Sequence, residues 1–207
     1  MSSILLCTSV PERDSSYHKD CDPMLIQAAL RTFLYIVLGR KRLVFGGHPT
    51  ISPLILAVCE DLRVDNKSAV TLYQSKFFEK ITPKVNSTFS NLINVPATDS
   101  RDKSLEKMRS LMIRGQKYEA AVFIGGGEGI LEEHRLFAKY HPHAKVIALK
   151  SPGGAAAKIS MPIGHDYDEL LNYVRLFVTD LKIPLDSERN LTSESPKLDP
   201  SNTIELG

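Results

Sequence analysis

Short apolar runs alternate with longer stretches in which apolar residues recur at helical spacing, from the first residues to about residue 181. Several of these runs have the length and composition of buried strands: 4–7, 43–45, 70–73, 92–95, 120–124 and 145–149. The run 120–124 (AAVFI) is apolar throughout, which is typical of a central strand in a parallel sheet. Strands that alternate with helices predict an α/β fold, because each crossover helix returns the chain to the same end of the sheet.

Helices are predicted between the strands, from apolar stripes and from residues that begin or end helices. Residues 23–38 have Asp22 as N-cap, Pro23 at the first position and Gly39 as C-cap. A second helix begins near Ser52, and residues 77–89 form a loop and a short helix. A third helix follows a cap at 99–100 and has the stripe Leu105, Met108, Leu111 and Met112. A fourth follows residues 125–129, with the apolar residues Ile130, Leu131, Leu136 and Phe137, and a last helix spans about 167–181.

These elements predict a single Rossmann-like, doubly wound, mostly parallel sheet of about six or seven strands with flanking helices. The chain has 207 residues, and its pattern of strands and helices ends near residue 184. Residues 187–207 contain few apolar positions and no helical or strand period, so they cannot offset the entropy cost of ordering. We therefore expect one domain, residues 1–184, and a polar, disordered tail, residues 185–207.

Composition and charge exclude several classes of protein. The net charge of +2 is spread along the sequence, which argues against nucleic acid as a partner. No run approaches the ~20 apolar residues of a membrane span, and the N-terminus lacks the pattern of a signal peptide, so no membrane partner is expected. Three cysteines, an odd number without a CxxC pair, fit a cytoplasmic protein and predict neither a disulfide scaffold nor a metal site.

The loops after four predicted strands have unusual compositions: 8–13 (TSVPER), 46–50 (GGHPT), 125–129 (GGGEG) and 151–154 (SPGG). In a parallel sheet these loops lie at the edge where ligands bind. Glycine N–H groups and helix N-termini favour phosphate groups, although glycine is also the usual means of making a tight strand-to-helix turn. The GxxxxGK[ST] and GxGxxG patterns are absent, so no P-loop, no NAD and no other cofactor is predicted.

A more specific motif stands in the third of these loops. Residues 126–133 (GGEGILEE) resemble the PGGxGTxxE motif of the LOG (lonely guy) nucleoside 5′-monophosphate phosphoribohydrolases, with Gly125 in place of the proline and Ile130 in place of the threonine. Residues 46–47 resemble the other glycine turn of that family. Residues 101–112 (RDKSLEKMRSLM) lie where the family has its arginine-bearing helix. Within them, residues 108–112 (MRSLM) match the family's MHxRKxxM motif, with Arg109 as their one basic residue.

The wider group is the SLOG superfamily of LOG- and DprA-like domains, and the resemblance covers most of residues 4–180. The strings FGGHPTISPLI and DSRDKSLEKMR are most similar to its branch associated with Sir2 and TIR domains in bacterial defence. The resemblance implies a nucleotide-binding module that senses an ADP-ribose-type or cyclic ADP-ribose-like signal in anti-phage defence. It also implies a homo-oligomer, a dimer or tetramer, and the chain would act on a separate effector protein because no effector domain is fused to it.

An enzyme is the competing interpretation, namely a LOG-like phosphoribohydrolase or nucleosidase that cleaves the N-glycosidic bond. Glu133 matches the family's catalytic glutamate, and Arg109 is its candidate partner. For either function the expected ligand-binding residues are Ser9, Arg13, Gly46, Gly47, His48, Arg101, Arg109, Gly125, Gly126, Gly127, Glu128, Gly129 and Glu133.

These residues have different expected roles. Glu133 would face the ribose, whereas Arg101, Arg109 and the glycines would hold phosphate. His48 would stack on a base or donate to phosphate. Some have a plainer alternative: Arg109 on a solvated helix face, and Glu128 as a first-turn carboxylate favoured by the helix dipole. Three further histidines are expected at the surface: His134, His141 and His143.

Overall fold

The computed structural model describes residues 2–82, 84–161 and 172–190. Its six strands are β1 (Ser3–Ser9), β2 (Arg42–Gly46), β3 (Val70–Ser75), β4 (Leu92–Val95), β5 (Tyr118–Gly125) and β6 (Lys145–Ala148). They form a sheet in the order β4-β3-β2-β1-β5-β6, in which each neighbouring pair is parallel. The predicted α/β fold and all six predicted strands are therefore confirmed.

Helices connect the strands on both faces of the sheet. They are α1 (Pro23–Val37), α2 (Ser52–Asp61), α3 (Asn66–Ala69), α4 (Arg101–Arg114), α5 (Glu128–Tyr140) and α6 (Tyr173–Asp180). Residues 77–89, predicted as a loop and a short helix, contain the end of one 3₁₀ turn and the whole of another, Lys76–Phe78 and Lys84–Thr88. Of the predicted last helix the structure describes the part from Asn172 onward, where Asn172 is the N-cap of α6, and residues 162–171 lie outside the described residues. No helix in the described ranges is long and apolar enough to cross a bilayer.

The ends of α1 follow from its sequence. The Asp22 carboxylate accepts hydrogen bonds from the N–H groups of Met24 and Leu25 at 2.8 and 3.1 Å, which satisfies donors that a helix N-terminus leaves free. Leu38, rather than Gly39, is the C-cap. Gly39 follows it with φ +80°, the left-handed conformation that commonly ends a helix.

Two layers of side chains cover the sheet. One layer packs α1, α2 and α6 against the sheet, with the rings of Phe33 and Phe177 in edge contact at 5.3 Å. The other packs α4 and α5 through residues such as Met112 and Phe137. Successive side chains of β1 point to opposite faces of the sheet, so Leu6 packs in the layer with α1 and Cys7 packs in the layer with α4 and α5.

The predicted stripe of α4 is partly wrong. Met108 and Met112 are buried, but Leu111 is 47% exposed on the outer face of the helix. Ser104 and Ile113 are buried instead. The buried positions 104, 108 and 112 are spaced four residues apart, and this row fixes which side of α4 meets the sheet.

The predicted tail begins with residues that contact the domain. Arg40 donates to the carbonyl of Leu185 at 2.7 Å and to that of Ser187 at 2.9 Å. Arg189 donates to the carbonyls of Tyr35 and Leu38 at the end of α1. Residues 185–190 thus dock on the C-terminal end of α1, and residues 191–207 lie outside the described residues.

Candidate functional site

The strand order reverses between β1 and β5. From β1 the chain builds the sheet in one direction through β2, β3 and β4, and β5 and β6 then extend it in the other direction. The last residues of the two strands, Ser9 and Gly125, are register partners, so the following loops leave the sheet at the same level. In open α/β sheets ligands bind in the crevice at this point, outside the carboxyl ends of the strands. We call this space the switch-point crevice.

Residues 125–129, the glycine loop, form one wall of the crevice. Gly125 and Gly126 have φ of +62° and +71°, a conformation that other residues rarely adopt. A Cβ on Gly126 would lie 2.2 Å from Ile130 Cγ1, and one on Gly125 would lie 2.5 Å from Ile26 Cδ1. Both positions therefore require glycine.

Backbone hydrogen bonds join the glycine loop to the loops after β1 and β6. Gly126 N–H donates to the Ser9 carbonyl at 2.8 Å, and the Gly126 carbonyl accepts from Ala155 N–H at 2.8 Å. Gly154 N–H donates to the Asp20 carbonyl at 3.0 Å. Because a Cβ on Gly154 would lie 2.7 Å from the carbonyl carbon of Gly125, the loop predicted at 151–154 approaches the glycine loop closely.

The N-terminus of α5 points into the glycine loop. Gly127 is its N-cap and supplies no side-chain cap, and the Gly127 carbonyl accepts from Ile130 N–H at 2.9 Å. The first N–H groups of the helix carry the positive end of its dipole. The Arg109 guanidinium packs directly on Gly129 in this first turn, since a Cβ there would lie 2.3 Å from Arg109 Nη2. A cation and the positive end of a helix therefore meet at one place.

Arg109 also forms an ion pair with Glu133. Arg109 Nε donates to Glu133 Oε1 at 3.3 Å, and the two side chains are only 18% and 14% exposed. Burial raises the pKa of the Glu133 carboxyl above its ordinary value, against the opposing effects of Arg109 and of the nearby Cys7 thiol. The structure thus brings together the glutamate and the arginine that the motif suggested.

Cys7 is a site residue that the sequence did not reveal. It is 2% exposed, lies on β1 and is near enough to the Glu133 carboxyl for each group to affect the pKa of the other. Burial, with a further contribution from the Glu133 charge, raises the pKa of the thiol well above its ordinary value, so the thiol stays protonated. The alternation of residues along β1 places Cys7 on the α4–α5 side, but the partner on α5 cannot be deduced from that pattern.

Tyr17 and Lys158 are two further neighbours of the crevice that the sequence did not reveal. The Tyr17 hydroxyl donates to Glu128 Oε2 at 2.6 Å, and this bond raises the pKa of Tyr17. The Lys158 ammonium lies 4.5 Å from the centre of the Tyr17 ring. A Cβ built on Gly127 would lie 3.9 Å from Tyr17 Cδ2, so the Tyr17 ring packs against the start of α5. Its hydroxyl binds the carboxylate of the exposed Glu128.

The loop after β2 uses its glycines for packing. Gly47 N–H donates to the Tyr73 carbonyl at 2.8 Å. A Cβ built on Gly46 would lie 3.3 Å from Met108 Cε, so glycine here allows the Met108 side chain to pack closely on the strand. His48 Nδ1 lies 2.9 Å from Thr50 Oγ1. Burial lowers the pKa of His48, so its neutral form is favoured.

The remaining predicted residues lie at different depths. A Cβ built on Gly126 would lie 3.3 Å from Ser9 Oγ, so the Ser9 side chain is next to the glycine loop. Arg13 is exposed. Arg101 lies two turns before Arg109 on α4, is 66% exposed and pairs with the adjacent Asp102 at 3.4 Å. The structure therefore gathers Ser9, the glycine loop, Arg109 and Glu133, and leaves Arg13 and Arg101 in solvent.

The histidines expected at the surface differ among themselves. His141 is half-buried: its Nε2 lies 2.7 Å from the Ile113 carbonyl and its ring packs edge-on against Tyr118. His134 is partly buried with its ring edge-on to Phe123, whereas His143 is exposed. In the described part of the chain no three His, Cys, Asp or Glu side chains are grouped so as to hold a metal ion.

Comparison with known proteins identifies the family of the chain. The model of the SLOG cluster3 family matches residues 16–181, from the loop after β1 to the end of α6. A search of curated proteins finds no match. The family match includes the glycine loop, Arg109 and Glu133 and covers most of the chain. The chain therefore belongs to the SLOG cluster3 family.

Proposed function

We propose that this chain binds a nucleotide-derived ligand of the ADP-ribose type, including cyclic ADP-ribose-like molecules, in the switch-point crevice. One observation carries the proposal: the Arg109 guanidinium packs on Gly129 in the uncapped first turn of α5, with Glu133 beside it. Membership of the SLOG cluster3 family supports a nucleotide-related function.

The chemistry of this arrangement fits a phosphorylated sugar. Free N–H groups at a helix N-terminus and a guanidinium both donate to phosphate oxygens, and the helix dipole favours the negative charge. The Glu133 carboxylate accepts hydrogen bonds, which suits the hydroxyl groups of a ribose. Because Glu133 and Arg109 are already paired at 3.3 Å, phosphate and ribose would be bound side by side.

The biological role that we propose is signal sensing in bacterial anti-phage defence, in the cytoplasm. It rests on the resemblance of the strings FGGHPTISPLI and DSRDKSLEKMR to the branch associated with Sir2 and TIR domains. In this proposal the chain forms a homo-dimer or tetramer, and ligand binding is passed to a separate effector protein.

A LOG-like phosphoribohydrolase is the second candidate, and the Arg109–Glu133 pair is the observation that favours it. In that reaction the bond between ribose C1′ and the base nitrogen breaks, a water oxygen joins C1′, and the base leaves with a proton. A buried carboxylate at this place can stabilise the positive charge that develops at C1′ and orient the water.

Nucleotide binding and base release distinguish the two candidates. The protein is mixed with AMP or ADP-ribose, its melting temperature is measured, and free base is followed by chromatography. Stabilisation by ADP-ribose without release of base is the expected result. Glu133→Gln is the test variant, and Glu132→Gln is its matched control because Glu132 is turned to Arg135, which donates to it at 2.7 Å.

Each outcome has a clear meaning. Base release that Glu133→Gln abolishes and Glu132→Gln retains would establish the hydrolase and remove the pure sensor. Stabilisation that both variants retain equally would remove Glu133 from the site. If neither AMP nor ADP-ribose stabilises the protein and no base is released, both candidate functions are wrong.

A further inference from the structure

Two groups of side chains contact the start of α5. Arg109, from α4, packs on Gly129, where a Cβ would lie 2.3 Å from Arg109 Nη2. The loop after β1 contacts Gly127 instead, where a Cβ would lie 3.8 Å from Ser15 Oγ and 3.9 Å from Tyr17 Cδ2. The end of the helix that we propose to face phosphate therefore has neighbours from two different parts of the chain.

The Tyr17 ring is held in a defined position beside α5. It packs against the α4–α5 layer of the core, and its hydroxyl donates to Glu128 Oε2 at 2.6 Å. The Tyr17 N–H donates to Ser15 Oγ at 3.3 Å. The residue is thus fixed at its backbone and at the tip of its side chain, next to the first residues of the helix.

Lys158 brings a positive charge to the same ring. Its ammonium lies 4.5 Å from the centre of the Tyr17 ring. The turn Ala155–Lys158 is attached to the glycine loop, because Ala155 N–H donates to the Gly126 carbonyl at 2.8 Å. Lys158 is exposed, and none of the ion pairs between described residues includes it. The crevice thus has a second cation, on a backbone that is fixed to the glycine loop.

We propose that Lys158 is a specificity-determining residue of the nucleotide site, whose ammonium moves from the Tyr17 ring to the second phosphate of an ADP-ribose-type ligand. This inference rests on the proposed function, in which Arg109 and Glu133 bind one phosphate and a ribose. Those two residues suffice for a nucleoside monophosphate, which has one phosphate and one ribose. A second cation beside the same helix start favours a ligand with two linked phosphates over AMP.

The charges around Lys158 favour this movement. A cation–π contact at an exposed position is weak, whereas a hydrogen bond from an ammonium to a phosphate oxygen is charge-assisted. The ammonium therefore gains interaction energy when it leaves the ring for a phosphate. The exposed Glu128 carboxylate, bound to the Tyr17 hydroxyl, repels a phosphate nearby, and the charge of Lys158 offsets that repulsion.

Three nucleotides and three variants test the proposal. Dissociation constants of AMP, ADP and ADP-ribose are measured by titration calorimetry for the wild type, Lys158→Ala, Lys158→Arg and Lys139→Ala. ADP has the second phosphate without the second ribose, so it separates the contributions of these two groups. Lys139→Ala is the matched control, because the exposed Lys139 also lies over a tyrosine ring, 5.4 Å from the centre of Tyr140, but at the C-terminal end of α5.

Lys158→Ala is expected to weaken the binding of both ADP and ADP-ribose about fivefold to fiftyfold and to change AMP binding by less than about twofold. Lys158→Arg retains the positive charge, so it is expected to keep the preference for two phosphates. Lys139→Ala is expected to bind all three nucleotides as the wild type does. Because both lysines are exposed, unchanged midpoints of urea unfolding are expected for the variants.

Similar losses for AMP and ADP-ribose in Lys158→Ala, or the same losses in Lys139→Ala, would overturn the proposal, because the effect would then follow from the net charge of the protein. A loss confined to ADP-ribose would also overturn it, since Lys158 would then contact the second ribose. Unchanged affinities in Lys158→Ala would remove Lys158 from the site and leave the proposed function intact. If the wild type binds none of the three nucleotides, the proposed function fails and this inference fails with it.

Discussion

Replacing Gly129 with alanine isolates the contribution of Arg109 to ligand binding. The new Cβ would lie 2.3 Å from Arg109 Nη2, well inside van der Waals contact, so the guanidinium has to move. This atom is the end of a flexible side chain, and moving it requires no change in the backbone. Alanine is also a better helix former than glycine, by up to about 1 kcal/mol.

Stability and binding are therefore expected to respond differently. A hydrogen bond to a charged group is worth about 1.5–3 kcal/mol, and the displaced guanidinium loses the one to Glu133. The gain in helix propensity offsets part of that loss, and the free energy of unfolding is expected to fall by no more than about 2 kcal/mol. If Arg109 donates to a ligand phosphate, the loss of a hydrogen bond of this strength is expected to weaken ADP-ribose binding about 10- to 150-fold.

Affinity is measured by titration calorimetry with ADP-ribose, and the free energy of unfolding is measured in urea. Both are measured in a double-mutant cycle of Gly129→Ala with Arg109→Ala. Once the guanidinium is absent, Gly129→Ala is expected to have no further effect on affinity and to show only the gain in stability. Unchanged affinity of the Gly129→Ala single variant would refute the reasoning. An equal loss of affinity with and without Arg109 would refute it as well, since the methyl group would then be acting on the ligand directly.

Three further predictions concern the fold and the charge of the site. Gly126→Ala is expected to lower the free energy of unfolding in urea by about 2–4 kcal/mol, because Gly126 has a φ of +71° and a Cβ there would collide with Ile130. An unchanged midpoint of urea unfolding would contradict the assigned backbone conformation. Arg189→Ala is expected to cost about 1–2 kcal/mol in the same assay, since it removes two donors to the end of α1, and a neutral effect would mean that residues 185–190 do not dock. Because the pKa of Glu133 is raised, the folded protein binds this proton more tightly than the unfolded chain does. The unfolding free energy of the wild type, measured relative to that of Glu133→Gln, should therefore rise as pH falls through the folded-state pKa. It should level off below the ordinary glutamate pKa. The opposite slope would contradict the effect of burial.

Features set by neighbouring residues could be predicted from the sequence. The capping of α1 by Asp22 depends on donors two and three residues away, and the strand 120–124 follows from its uniform apolar composition. The prediction that Leu111 is buried is wrong, because an apolar residue at helical spacing does not show which flank of the stripe meets the sheet.

The candidate site was predictable only where a motif connected distant residues. The motif pointed to Glu133 and suggested Arg109, 24 positions away along the chain, as its partner. Helix and strand periods gave no sign that Tyr17 would hold Glu128, since 111 positions separate them. The role of the glycines at 46–47 could not be read from the sequence, because a glycine that lets a helix approach a strand has the same sequence signature as one that exposes its N–H group to a ligand.

The hydrogen bonds among the loops of the switch-point crevice have a consequence for the cost of binding. Gly126 is bonded on one side to Ser9 and on the other to Ala155, and Gly154 is bonded to Asp20. The conformational entropy of these loops is therefore lost when the chain folds, before any ligand arrives. A ligand that enters the crevice has little backbone left to order, so more of its interaction energy remains as affinity.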